Sequence, residues 1–338
     1  MRAAFLRRTL LALVLTAAAT AAAQNPSPHA IDIPQWFANT FLDFREDVAD
    51  AARDNKRVLV YFGQDGCPYC KLLMQTTFAE TRIVDKMRRR FVPIALNLWG
   101  DRDVTWVDGR KMSEKELARR LGVQFTPTLL FFNEKADVVL RLNGYQAPHR
   151  MDATLDYVAG KLEAKQSYAD YMQGAAKEAA SPKLAEEPFF LKPPYRLQRQ
   201  RDGKPLLVLF ERTSCASCDE LHRESLRRKE VVALLPKFDI VRFEPRDGAD
   251  LVVPDGRRLT VATWARELAI HYAPTLVFFD ALGNEVFRVE AYVRPFHLAG
   301  ALDYVASGDY RKEPSFQRYL QARADVLRQR GEQVDLWK

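Results

Sequence analysis

Cysteine is scarce, with four in 338 residues, all in two C-x-x-C pairs: Cys67-Pro68-Tyr69-Cys70 and Cys215-Ala216-Ser217-Cys218. A secreted fold stapled by disulfides scatters more cysteines through its loops, so stability here must come from apolar cores. A zinc ribbon sets its two C-x-x-C knuckles about 15–20 residues apart, whereas 144 residues separate these pairs. Haem attachment needs histidine directly after the second cysteine, where Lys71 and Asp219 stand. Long apolar runs are also lacking. The stretch from Thr9 to Ala23 is rich in alanine and falls short of the roughly 20 apolar residues that span a bilayer. Charge of one sign is not in large excess: 51 Lys and Arg face 44 Asp and Glu, and three of the arginines belong to the leader. Aromatic residues fall inside apolar runs rather than alternating with basic ones, so nucleic-acid binding is excluded as a reading. With 47% hydrophobic and 28% charged residues and no glycine or proline excess, the chain is an ordinary globular protein of about two domains.

Residues 1–23 read as a secretory signal. Arg2, Arg7 and Arg8 form a basic start, Leu10 to Leu15 an apolar stretch, and Ala21-Ala22-Ala23 a small-residue cleavage site ahead of Gln24. No cysteine follows that site to carry a lipid. The mature protein is expected to be exported, periplasmic and not stably inserted in the membrane. Export by the twin-arginine route through Arg7-Arg8 is an alternative.

The remainder is a tandem repeat. Val58-Leu59-Val60-Tyr61-Phe62 falls on Leu206-Leu207-Val208-Leu209-Phe210 at an offset of 148, and the C-x-x-C pairs keep it. The offset becomes 147 for Asp108-Gly109-Arg110 on Asp255-Gly256-Arg257 and for Thr126-Pro127-Thr128 on Ala273-Pro274-Thr275. Leu155-Asp156-Tyr157-Val158-Ala159 recurs unchanged from Leu302. The offset is again 148 where Ser167 meets Ser315.

The expected organisation is a leader (1–23), a tail (24–34), a first α/β domain (35–180), a proline-rich linker (181–205) and a second domain with a C-terminal helix (206–338). A helix from about Gln35 to Asn55 is expected to open the first domain. Each copy then reads as strand, C-x-x-C, helix, strand, a hairpin around Asp-Gly-Arg, helix, two strands and a last helix. Ser113 and Glu116 have capping-box spacing. Ser315 to Arg330 reads as an amphipathic helix, Trp99 and Trp106 as packing residues, and His222 as a solvated side chain rather than part of a Cys₂His metal site.

A strand ending in C-x-x-C at a helix start has a chemical purpose. The first cysteine sits at the positive end of the helix dipole, where unpaired amides stabilise a thiolate. The second lies one turn on, close enough to form a small disulfide and release a trapped partner. Pro68 fits the first helical position, where its missing N–H costs nothing. Pro127 and Pro274 each open an apolar strand, 60 and 59 residues after the first cysteine, which suggests cis peptides presenting backbone to an extended substrate.

Together these features resemble the thioredoxin superfamily. More narrowly, Gly66-Cys67-Pro68-Tyr69-Cys70-Lys71, Leu98-Trp99-Gly100-Asp101-Arg102, Leu121 to Thr128 and Pro314 to Gln321 look like the SoxW-type exported thioredoxin-like proteins found beside bacterial sulfur-oxidation systems. The resemblance implies two thioredoxin-like domains, each a central mixed sheet flanked by helices, and thiol–disulfide exchange on protein disulfides. It also implies electrons supplied by a CcdA- or DsbD-like membrane reductase, and no cofactor beyond the Cys67–Cys70 and Cys215–Cys218 disulfides. Cys67 and Cys215 would attack, Cys70 and Cys218 resolve, and Thr126, Pro127, Ala273, Pro274, Pro68 and Tyr69 would contact substrate. Reduction is the expected direction, with oxidation or isomerisation as alternatives. A substrate-binding, chaperone-like role with a weakly active second domain is the rival.

Departures from thioredoxins proper are clear. The buried acid six residues before the first cysteine is replaced by Tyr61 and by Leu209. Copy two has Ser214 before its motif and Asp219-Glu220 directly after, carboxylates that oppose a thiolate. Cys67 is therefore expected to be the more reactive nucleophile. Copy two is either a second active site, an electron relay, or a structural disulfide.

Overall fold

The computed structural model describes residues 31–175, 180–201, 203–290, 292–332 and 334. The leader, its cleavage site and most of the expected tail lie outside the described residues. Helix α1 (Phe44–Arg53) is shorter than its expected span, because Asp43 caps it by accepting the Arg45 amide. The preceding residues instead form a turn that buries Phe37.

Strand β1 (Arg57–Gly63) is buried along its whole length, as befits a run of Val, Leu, Tyr and Phe covered on both faces. Next come α2 (Pro68–Gln75), α3 (Thr81–Arg90), β2 (Phe91–Asn97), the hairpin β3 (Asp103–Thr105) and β4 (Lys111–Ser113), and α4 (Glu114–Arg120). Glu116 closes the expected capping box on Ser113. The copy ends with β5 (Thr128–Phe132), β6 (Val138–Asn143), α5 (Pro148–Ala159) and α6 (Tyr168–Ala175). Its sheet runs β2-β1-β5-β6, with β1 and β2 parallel and the other neighbours antiparallel.

The second copy repeats this plan. Its elements are β7 (Tyr195–Arg196), β8 (Leu206–Phe210), α7 (Ala216–Arg223), α8 (Lys229–Val232), β9 (Asp239–Phe243), β10 (Asp250–Val252), β11 (Arg258–Thr260), α9 (Val261–Glu267), β12 (Thr275–Phe279), β13 (Glu285–Val289), α10 (Pro295–Ala306) and α11 (Phe316–Gln329). The sheet order β9-β8-β12-β13 matches the first copy strand for strand. Apolar clusters cover both faces of each sheet. Leu59, Leu73, Phe131 and Leu155 lie on one side of the first, and Phe44, Val60, Trp106 and Phe132 on the other.

The proline-rich segment is not a free linker. Tyr195-Arg196 pairs in parallel with β10, Phe190 bridges Ile240 and enters the second core, and Leu197 is buried. Prolines limit how this stretch can pair, but its apolar side chains still gain by burial, so it folds onto the second domain.

Candidate active sites

Strand register builds both sites. Phe62 at the end of β1 is paired with Thr128, and Phe210 at the end of β8 with Thr275. The residues just before Thr128 and Thr275 therefore stand beside the turn that leaves β1 or β8. Those residues are Thr126-Pro127 and Ala273-Pro274, and both peptides are cis. The Thr128 hydroxyl donates to the Phe125 carbonyl at 2.8 Å, and the Thr275 hydroxyl to that of Tyr272 at 3.0 Å, pinning the two loops alike.

At the first site Cys67 is the N-cap of α2, and its Sγ accepts the Cys70 amide at 3.1 Å. Pro68 occupies the first turn. The Thr126 hydroxyl donates to Cys67 Sγ at 3.3 Å, and the Thr126 carbonyl oxygen lies 3.4 Å from the same sulfur. At the second site Cys215 caps α7 in the same way, accepting the Cys218 amide at 3.1 Å. There the Ser217 hydroxyl donates to the Ala273 carbonyl at 3.4 Å. Both cysteine pairs are in the disulfide form. The expected residues fall into two groups, Cys67, Pro68, Tyr69, Cys70, Thr126 and Pro127 at the first site and Cys215, Cys218, Ala273 and Pro274 at the second.

The two sites differ in their surroundings. Cys67 is only 4% exposed, whereas Cys215 is half-buried, so accessibility runs opposite to the expected order of reactivity. Tyr69 is half-buried against the second domain. Its hydroxyl accepts the Arg294 amide at 2.9 Å and its ring meets His297 edge-on, both from the second domain, and burial pushes its pKa up. Tyr61, in the place of the missing acid, is buried beneath the first site with its hydroxyl unpartnered among the described residues.

Copy two carries a polar cluster that the sequence reading missed, and it corrects the reading of His222 as solvated. His222 is buried, with Nδ1 2.9 Å from Glu187 and Nε2 3.0 Å from Glu211. Glu187 also accepts from Arg227 at 2.7 Å. Burial opposes charge on the imidazole, but hydrogen bonds and the negative charge of Glu211, then of Glu187, outweigh it, and the pKa is raised. His222 lies four residues after Cys218, on the same face of α7. The signal lay in the repeat itself, since copy one holds Gly63 and Met74 where copy two holds Glu211 and His222. Among the described residues no group of three or more His, Cys, Asp or Glu is arranged to hold a metal ion.

Ser214 takes the left-handed conformation (φ +55°) that Gly66 supplies in copy one (φ +72°). A side chain there costs about 1–2 kcal/mol, and the bond from the residue 214 amide to the Ser181 carbonyl at 2.7 Å is made by the backbone, so glycine would keep it. Ser214→Gly is expected to raise stability by up to about 1 kcal/mol in urea unfolding. A loss of stability would contradict the strain.

The thioredoxin-like domain family matches residues 44–159 and again residues 198–306, together about two thirds of the chain. The chain belongs to that family. Its paired C-x-x-C motifs make it a thiol–disulfide oxidoreductase with two tandem thioredoxin-like domains. Among solved structures, a thioredoxin-fold protein from Helicobacter pylori is 22% identical, covering 40% of this chain and 90% of its own, with a TM-score of 0.31. A thioredoxin from Thermus thermophilus is 28% identical over 35% of this chain and 85% of its own, with a TM-score of 0.29. A putative disulphide-isomerase from Bacteroides thetaiotaomicron is 27% identical over 39% and 95%, also with a TM-score of 0.29. No curated protein matches the chain. No helix among the described residues of this oxidoreductase is long and apolar enough to cross a membrane.

Proposed function

We propose that this oxidoreductase works in the periplasm as a reductase of protein disulfides. Its electrons would come from a CcdA- or DsbD-like membrane donor, as in the SoxW-type proteins it resembles. Cys67 attacks, Cys70 resolves, and Thr126 and Pro127 hold the substrate backbone beside the sulfur. Cys215, Cys218, Ala273 and Pro274 form the second site, or a relay to the first. The observation that carries this reading is the placement of Cys67 at a helix N-terminus, 3.3 Å from the hydroxyl of the residue before a cis-proline. The compartment is read from the basic and apolar leader, and the direction from the family resemblance.

Replacing both Cys67 and Cys70 by serine in a chain already lacking Cys215 and Cys218 is expected to abolish insulin disulfide reduction. Full reduction by that variant would sink the enzymatic reading. If it still suppressed aggregation of an unfolded client as well as the unaltered chain, a chaperone-like role would stand beside the enzymatic one.

A further inference from the structure

The two copies pack through equivalent surfaces. Phe316, which opens α11, packs its ring against Phe125 with centroids 5.5 Å apart, and its counterpart Tyr168, which opens α6, meets Tyr272 edge-on at 5.8 Å. Phe125 and Tyr272 are themselves counterparts, each one residue before the X of the cis X–Pro bond. Gln64 donates to Gln317 at 2.8 Å, and the counterpart of Gln64, Arg212, donates at 3.2 Å to the carbonyl of Ala169, the counterpart of Gln317. Arg318 lies over the Trp99 ring, while their counterparts Asp170 and Arg246 form an ion pair. Asn143 donates at 2.6 Å to Glu290, the same position in the other copy. Contacts of i with j repeated as j with i are the mark of an isologous, two-fold interface, here built within one chain.

The consequence falls on the first site. A groove of about 310 Å³ lies over Cys67. Its floor is the Gly66–Tyr69 turn with Thr126, and its far wall is Val293, His297, Gln317 and Leu320 of the second domain. Gln317 also donates to the Gln124 carbonyl at 2.9 Å, tying α11 to the loop that leads to Pro127. The wall is mostly apolar, with His297 and Gln317 as neutral hydrogen-bonding groups, and the groove also carries two charged residues, Asp65 and the Arg318 that lies over Trp99. Nδ1 of His297 has no partner among the described residues, and burial, with Arg294 nearby, holds this imidazole neutral with a pKa of about 4.

We propose that the second domain completes the first site, so that the groove at Cys67 accepts disulfides carried on a single extended, unfolded chain. His297 and Gln317 are then its specificity-determining residues. This rests on the oxidoreductase reading above. A sulfur on the convex face of a folded protein is kept from the nearly buried Cys67 by the α11 wall, whereas a lone chain threads between wall and floor. In the step itself, the Cys67 thiolate attacks one substrate sulfur, the substrate S–S bond breaks, and the other sulfur leaves as a thiolate that takes a proton from water. Cys70, losing its proton, then attacks Cys67. The second substrate thiol is released, the substrate has gained two electrons, and Cys67–Cys70 is oxidised.

The test is single-turnover exchange by the reduced full-length chain bearing Cys215→Ser and Cys218→Ser, so that only the first site reacts and no added reductant is needed. The probes are a short uncharged peptide dimer joined by one disulfide and native ribonuclease. The peptide is expected to react at least about tenfold faster than the native protein. Gln317→Ala, which loosens the wall, should narrow that ratio. His297→Ala should raise the peptide concentration for half-maximal rate by about tenfold, the loss of one hydrogen bond, more than it lowers the maximal rate. Equal rates for peptide and native protein would overturn the closed groove while leaving the oxidoreductase reading intact. Failure of the wild-type groove to react with either probe would overturn both.

Discussion

Cys70→Ser, made in the chain lacking Cys215 and Cys218, is expected to turn the first site into a covalent trap. Cys67 at the α2 N-terminus still attacks, because its thiolate is stabilised by the Cys70-position amide and the helix dipole, and both belong to the backbone. The resolving sulfur is gone, so a mixed disulfide between Cys67 and substrate accumulates and turnover falls by at least about a thousandfold, the scale seen when covalent machinery is broken. Cys67→Ser should lose turnover equally but trap nothing. Mass spectrometry of the quenched reaction separates the two variants. A trapped adduct in Cys67→Ser, or its absence in Cys70→Ser, would reverse the assigned roles.

The second large effect concerns stability. His222→Leu leaves Glu211 buried without its partner and removes one of the two partners of Glu187. Breaking a buried charged pair from one side costs about 3–5 kcal/mol, and urea unfolding should show that loss. The imidazole faces Glu187 and Glu211, with Arg227 behind Glu187 and the Phe190 ring packed beside it. Its folded pKa is raised above the unfolded value of about 6.5. The extra stability is therefore complete below about pH 6.5 and is lost as pH rises through the folded value. The wild-type chain should lose stability on the alkaline side, and His222→Gln should lack that slope. A wild-type chain equally stable across that range would contradict a charged His222.

The sheets, the hairpins and both cysteine sites were legible in the sequence because each rests on local signals that the duplication states twice. Apolar runs such as Val58 to Phe62, the Ser113–Glu116 capping box and the prolines that open β5 and β12 all act within a few residues. What was not legible depends on partners far apart along the chain. Phe316 reads as the buried side of an amphipathic helix whether it packs in its own domain or also meets Phe125 of the other. Glu187 sits in a proline-rich stretch with every mark of a linker, and only the fold brings it to His222. Tyr69 reads as a substrate contact, but nothing near it in the sequence shows that its hydroxyl takes the Arg294 amide of the second domain.

The most direct measurement is the reduction potential of Cys67–Cys70, taken in redox buffers on the chain carrying Cys215→Ser and Cys218→Ser. A value near that of thioredoxin, about −270 mV, is predicted for a reductase fed by a membrane donor. A value near about −120 mV would contradict the proposed direction and make this site a donor of disulfides.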